Sequence, residues 1–233
     1  MSTPNSIRRS ASSSSNSSAN LKAVTAAVAL CLIYLLVSYF SGTSYGPHPS
    51  AVSSKMSAHR RSAVVVIAMK GFQDHEFAGV MGGLAKHGFH VDVCGKEKHK
   101  EAVGKFGSKQ LTACAMSEID VDKYDRIAFV GGPGAGALRD EPDALNLARK
   151  FFAADKVVGA ICIAPTILAH AGVLKGKKAT VWDSKGGSGP EAQYINDHGA
   201  HFVPHKPVVV DGKVVTGNGP DAAEEFGETF ASM

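Results

Sequence analysis

One cysteine sits where a nucleophile could work. In Val157-Val158-Gly159-Ala160-Ile161-Cys162-Ile163-Ala164-Pro165, five strand-forming residues run straight into Cys162, and small and aliphatic residues then recur at helical spacing as far as Gly172. That places Cys162 in the sharp turn between a strand and a helix, with the small residues Gly159 and Ala164 around it. A thiol there meets the positive end of a helix, which favours the reactive thiolate. The plain alternative is that Cys162 is a small buried hydrophobe.

Two further stretches offer partners. Ala63–Met69 is an apolar strand, followed by the Gly71 turn and a helix that Asp74 can cap, with Glu76 in its first turn. Tyr124–Val130 is a strand that ends in Gly131-Gly132-Pro133-Gly134. Ligands of open parallel sheets bind beyond the carboxyl ends of the strands. If these three strands are neighbours, a carboxyl, bare glycine backbone and a thiol converge. The N–H groups of Gly132 and Ile163 then form an oxyanion hole.

The positioning elements alternate between strand and helix. After the Glu76 helix, with its stripe of Phe77, Val80, Met81 and Leu84, Phe89–Val93 reads as a strand, so the unit is strand–helix–strand with a right-handed crossover. The five lysines from Lys96 to Lys109 read as a solvated excursion. A helix with Leu138, Leu145, Ala148 and Phe152 on its inner side precedes the cysteine strand. Ala179–Trp182 follows as a strand, then a hairpin over 208–216 turning at Asp211-Gly212, and a closing helix over 221–232. The fold class is α/β, a three-layer sandwich with a mainly parallel sheet.

Ahead of this domain lies a different composition. Residues 1–20 are Ser-rich and disordered by composition. Residues 21–40 are almost wholly apolar and long enough to cross a bilayer, which takes roughly 17–25 residues. They read as a single-pass membrane signal anchor, with a cleaved signal peptide as the alternative. Residues 41–61 are a linker and 62–233 the folded domain. Basic residues flank the apolar stretch on both sides, so orientation stays open. The acid-free leader also resembles an organelle transit sequence, and initiation at Met56 would give a soluble cytoplasmic form.

The formal charge of +4 belongs to this leader. Six of the 25 basic residues precede residue 62, which leaves 19 basic against 21 acidic side chains in the domain and gives no reason to expect nucleic acid as a partner. Cys94, Cys114 and Cys162 are far apart without CxxC spacing, and read as free thiols in a reducing compartment. Pro133-Gly134-Ala135-Gly136 lacks the acidic residue that dinucleotide binding needs at the end of the next strand. His198, His201 and His205 lack a shared helix for zinc, so neither cofactor nor metal is expected.

Taken together, Phe72-x-Asp74-x-Glu76, Gly131-Gly132-x-Gly134, Ala160-Ile161-Cys162-x-x-Pro165, Ala171-Gly172-Val173-Leu174-Lys175-Gly176-Lys177 and Val209-Val210-Asp211-Gly212-x-x-Val215-Thr216-x-x-x-Pro220 resemble the DJ-1/PfpI family over residues 62–231. The resemblance implies a flavodoxin-like sandwich, a homodimer or larger ring, Cys162 as the elbow cysteine and Glu76 as the acid that hydrogen-bonds it. It also implies glutathione-independent glyoxalase or deglycase activity on reactive aldehydes such as methylglyoxal or glycated protein side chains, with peptidase, chaperone or oxidation-sensor roles as alternatives. Ile163 stands where peptidase-type members carry His. The remaining histidine near a pocket position is His201, in Gly199-Ala200-His201-Phe202.

Overall fold

The structure, a computed structural model, describes residues 61–233. Strand β1 (Ser62–Val66) is apolar at every position except its first, because it is buried on both faces. After the short β2 (Lys70–Phe72) comes helix α1 (Asp74–Lys86), then β3 (His90–Gly95). β4 (Glu101–Gly104) and β5 (Lys109–Leu111) form a hairpin, and β6 (Cys114–Ala115) returns to the edge of β3. The second half runs through β7 (Arg126–Phe129), α2 (Ala135–Leu138), α3 (Pro142–Ala153), β8 (Val157–Ile161) and α4 (Pro165–His170). It ends with β9 (Lys178–Ala179), α5 (Pro190–Asp197), β10 (His201–Phe202), β11 (Val208–Asp211), β12 (Val214–Gly217) and α6 (Ala223–Ser232).

Among the described residues the main sheet has seven strands in the order β11-β12-β8-β7-β1-β3-β6, parallel except for β11. β1, β7 and β8 are adjacent, so the three strand ends singled out by sequence do lie side by side. Alternate residues of β1 feed two cores. Val64 and Val66 pack with α3, α4 and α5, whereas Ala63 and Val65 pack with α1 and α6. This is the three-layer, flavodoxin-like sandwich. On the second face α1 and α6 approach to backbone contact. A Cβ at Gly83 would run into the Gly227 backbone, and one at Gly79 into Ala223.

Several expectations are corrected. The described helices are at most 13 residues long, about 20 Å against a bilayer core of about 30 Å, and none is long and apolar enough to cross a membrane. The single-pass membrane placement is therefore withdrawn. The segments 1–20, 21–40 and 41–60 on which it rested lie outside the described residues, as does Met56.

Cys94 and Cys114 are not free thiols but a disulfide, because β3 and β6 set them directly opposite each other, with Cα atoms 4.8 Å apart. The inference of a reducing compartment goes with them. Asp74 does not cap α1. Gln73 does, accepting from His75 N at 2.9 Å, while the Asp74 carboxylate accepts from Phe106 N and Ser108 N at 2.8 and 2.9 Å. That interaction folds the lysine-rich excursion into a three-stranded sheet with β2. Phe152 faces outward and Phe151 fills the core in its place. The strand expected over Ala179–Trp182 stops at Ala179, since Thr180 N turns to Thr216 Oγ1 and Trp182 N to the carbonyl of Cys162.

Candidate active site

β8 carries the chain to Cys162, which adopts a left-handed φ of +63°. A non-glycine residue holds that conformation only when its surroundings fix it. Here Cys162 N donates to the Gly217 carbonyl at 2.9 Å, and Cys162 O accepts from Trp182 N at 2.8 Å. The expected nucleophile elbow is thus present, with α4 starting three residues on at Pro165.

Glu76 comes from the first turn of α1 and is fully buried. Its Oε2 accepts from Gly131 N at 3.0 Å. The other oxygen, Oε1, is buried with no hydrogen-bond partner of good geometry, and Cys162 is the side chain acting on the carboxyl. Gly131 must be glycine for this approach. A Cβ there would lie 2.5 Å from Cys162 Cβ and 2.7 Å from Glu76 Oε2.

Burial pushes the Glu76 carboxyl up to about 7, against which Cys162, the Gly131 amide and the Lys105 charge pull down. Burial also pushes the Cys162 thiol up to about 12, and the Glu76 charge adds to this. The N–H groups of Gly132 and Ile163 both point to the sulfur and oppose the rise. The thiolate expected from a helix N-terminus is therefore corrected. α4 is only six residues long, and desolvation beside a carboxyl outweighs it. Burial thus pushes both groups, the carboxyl and the thiol, toward their neutral forms.

The thiol opens into a cavity of about 330 Å³ lined by Gln73, Lys105, Gly132, Pro133, Cys162, Ile163, Trp182 and Pro220. The structure therefore brings together Cys162, Glu76, Gly132 and Ile163. It does not bring His201, which is exposed on β10, paired with Lys178 of β9, and absent from the cavity wall. Lys105, Gln73, Pro133 and Pro220 are wall residues that sequence reasoning did not assign. Pro133 and Pro220 lay within stretches already singled out, and Gln73 stands between the first strand and Glu76, whereas Lys105 carried no such positional signal.

The family model described as DJ-1/PfpI family matches residues 61–233. The chain belongs to the DJ-1/PfpI family. It is 39% identical over 166 residues to an uncharacterized protein of Methanocaldococcus jannaschii, covering 70% of this chain and 78% of that one. It is 30% identical over 157 residues to a protein of Thermococcus kodakarensis named a deglycase, covering 67% and 90%. Among solved structures, a ThiJ/PfpI domain protein from Brachyspira murdochii superposes with a TM-score of 0.69 at 25% identity, covering 74% of this chain and 95% of that one. Drosophila melanogaster DJ-1beta does so with a TM-score of 0.66 at 28% identity, covering 74% and 89%.

Proposed function

We propose that this DJ-1/PfpI member is a cysteine-dependent enzyme of the glyoxalase or deglycase type, acting on α-oxoaldehydes such as methylglyoxal or on their protein adducts. The observation that carries the reading is the buried Glu76 carboxyl set against the Cys162 thiol, which the Gly132 and Ile163 backbone amides face. Sγ attacks the aldehyde carbon and the S–C bond forms. The carbonyl π electrons move to oxygen, which the Gly132 and Ile163 amides receive, and the thiol proton passes by way of Glu76 to that oxygen. The product is a hemithioacetal. Glu76, again a carboxylate, takes the remaining hydrogen of that carbon as a proton and returns it to the neighbouring carbon, while the hydroxyl proton of the first carbon passes to the ketone oxygen of the second, so the first becomes the thioester carbonyl as the second is reduced to the alcohol. The resulting thioester is hydrolysed by water to a 2-hydroxy acid and free Cys162.

A carboxyl of about 7 suits both directions of that transfer, since a proton shuttle works best near ambient pH. Peptidase chemistry fits less well, because among the described residues no histidine lines the cavity and Ile163 follows Cys162. A homodimer or larger ring belongs to the same reading, and light scattering tests it.

The functional test is methylglyoxal consumption by the full-length chain without glutathione, beside Cys162→Ser and Glu76→Gln. Repeated turnover to lactate, lost in both variants, is the expected result. Absence of turnover, with peroxide selectively oxidising Cys162, the first equivalent to a sulfenate and a second to a sulfinate held by Glu76, would replace the enzyme with an oxidation sensor.

A further inference from the structure

The cavity at Cys162 has one cationic wall. Lys105 stands in the turn between β4 and β5, and that turn is tied down: Lys105 N donates to the Phe72 carbonyl at 2.8 Å, while the Asp74 carboxylate holds Phe106 N and Ser108 N. Three of the other four lysines of the excursion are paired, and the fourth, Lys100, does not line the cavity. Lys96, Lys98 and Lys109 pair with Glu141, Glu118 and Glu101 at 2.9 to 3.3 Å. Among the described residues no carboxylate forms an ion pair with Lys105. Its Nζ lies 5.2 Å from the exposed Phe106 ring, and its charge reaches Glu76 at the floor. The rest of the wall is Pro133, Ile163, Trp182, Pro220 and the neutral Gln73.

From this arrangement we infer that Lys105 selects anionic aldehydes: the preferred substrate carries a carboxylate two or three carbons beyond the α-oxoaldehyde, its carbonyls at Cys162 and its acid on the Lys105 ammonium. A cavity of about 330 Å³ holds about eleven water volumes, enough for a five-carbon dicarbonyl acid such as 4,5-dioxopentanoate. The reaction takes up one water and gives 2-hydroxypentanedioate, with the aldehyde carbon oxidised and the adjacent ketone carbon reduced. This inference about substrate class rests on the α-oxoaldehyde reading. The anion preference of the pocket does not, because it is a property of the approach to Cys162.

Two measurements on the full-length chain separate the two. The first is alkylation of Cys162 by iodoacetate and by iodoacetamide, followed by mass spectrometry of the Cys162 peptide, in wild type, Lys105→Met and Lys105→Glu, with circular dichroism to verify folding. The iodoacetate-to-iodoacetamide rate ratio is expected to fall about three- to tenfold in Lys105→Met, the scale of one charge pair about 6 Å apart in a water-open mouth, and further in Lys105→Glu. About 0.5 M salt should shrink the difference. The second is the ratio of kcat/KM for 4,5-dioxopentanoate to that for its methyl ester, which should fall in the same order.

An alkylation ratio that is equal in the three proteins, or a Cys162 that neither reagent modifies, overturns the proposal even if methylglyoxal is turned over. A Lys105-dependent alkylation ratio with no turnover of any oxoaldehyde upholds the anion pocket, refutes the oxoaldehyde as its occupant and refutes the functional reading with it.

Discussion

Replacing Glu76 by glutamine should make the protein more stable at alkaline pH while abolishing its chemistry. Glu76 is 0% exposed, and its folded carboxyl is raised from 4.5 to about 7 mainly by burial. A raised carboxyl binds its proton more tightly in the folded state than in the unfolded state. Its favourable contribution is therefore present in full below pH 4.5 and is lost as pH rises through about 7. The gap between those two values corresponds to roughly 3 kcal/mol. Glutamine is neutral throughout and keeps an oxygen to accept from Gly131 N, so it escapes this loss.

The assay is urea unfolding of wild type and Glu76→Gln at intervals from pH 4.5 to 8. The difference in unfolding free energy should move in the variant's favour by about 3 kcal/mol across that range, with most of the change between pH 5 and 7.5. All other titrating groups are common to both proteins and cancel. A difference that stays flat with pH would refute the reasoning, since it would mean that the carboxyl ionises in the folded protein as it does in water.

Three other outcomes are expected. If Glu76 is the proton carrier, kcat/KM for methylglyoxal should rise about tenfold per pH unit below 7 and level off above it; a flat profile from pH 5.5 to 7 would remove Glu76 from that role. Gly131→Ala should leave the fold intact but cut activity by about a hundredfold or more, because the new methyl group would sit 2.5 Å from Cys162 Cβ and force the thiol and carboxyl apart, which a crystal structure of the variant would show. Replacing both Cys94 and Cys114 by serine opens a loop with a sequence separation of 20 and should cost about 3 kcal/mol, read as a lower urea midpoint than that of the oxidised wild type.

Features fixed by neighbouring residues were legible in the sequence, and features fixed by strand register were not. Val157–Gly172 contains a strand, a sharp turn and a helix within sixteen positions, so the elbow at Cys162 could be read locally. The meeting of Glu76, Gly131 and Cys162 needed only one further assumption, that their three strands are adjacent, and parallel pairing of β1, β7 and β8 satisfies it. The Cys94–Cys114 pair was invisible because nothing in a twenty-residue separation announces that Cys114 returns opposite Cys94 on an edge strand two residues long. Lys105 was hidden among similar lysines. What distinguishes it is the Asp74 carboxylate, read as a helix cap, which pins the turn at Phe106 and Ser108 over the cavity.

The same physics explains why the thiolate expectation failed although Cys162 does occupy the strand-to-helix turn. A helix terminus contributes about 0.3–1 kcal/mol, up to about 2 when partly buried. The rise of the Cys162 thiol from 9.0 to about 12 corresponds to about 4 kcal/mol in the opposite direction. Such a site gains nothing from a standing thiolate. The proposed reaction instead calls for a carboxyl near neutrality to lift the proton as sulfur engages carbon, and burial raises Glu76, in the first turn of α1, to about 7. In the proposed reaction the raised Cys162 thiol would give up its proton as a carbonyl arrives between the Gly132 and Ile163 amides.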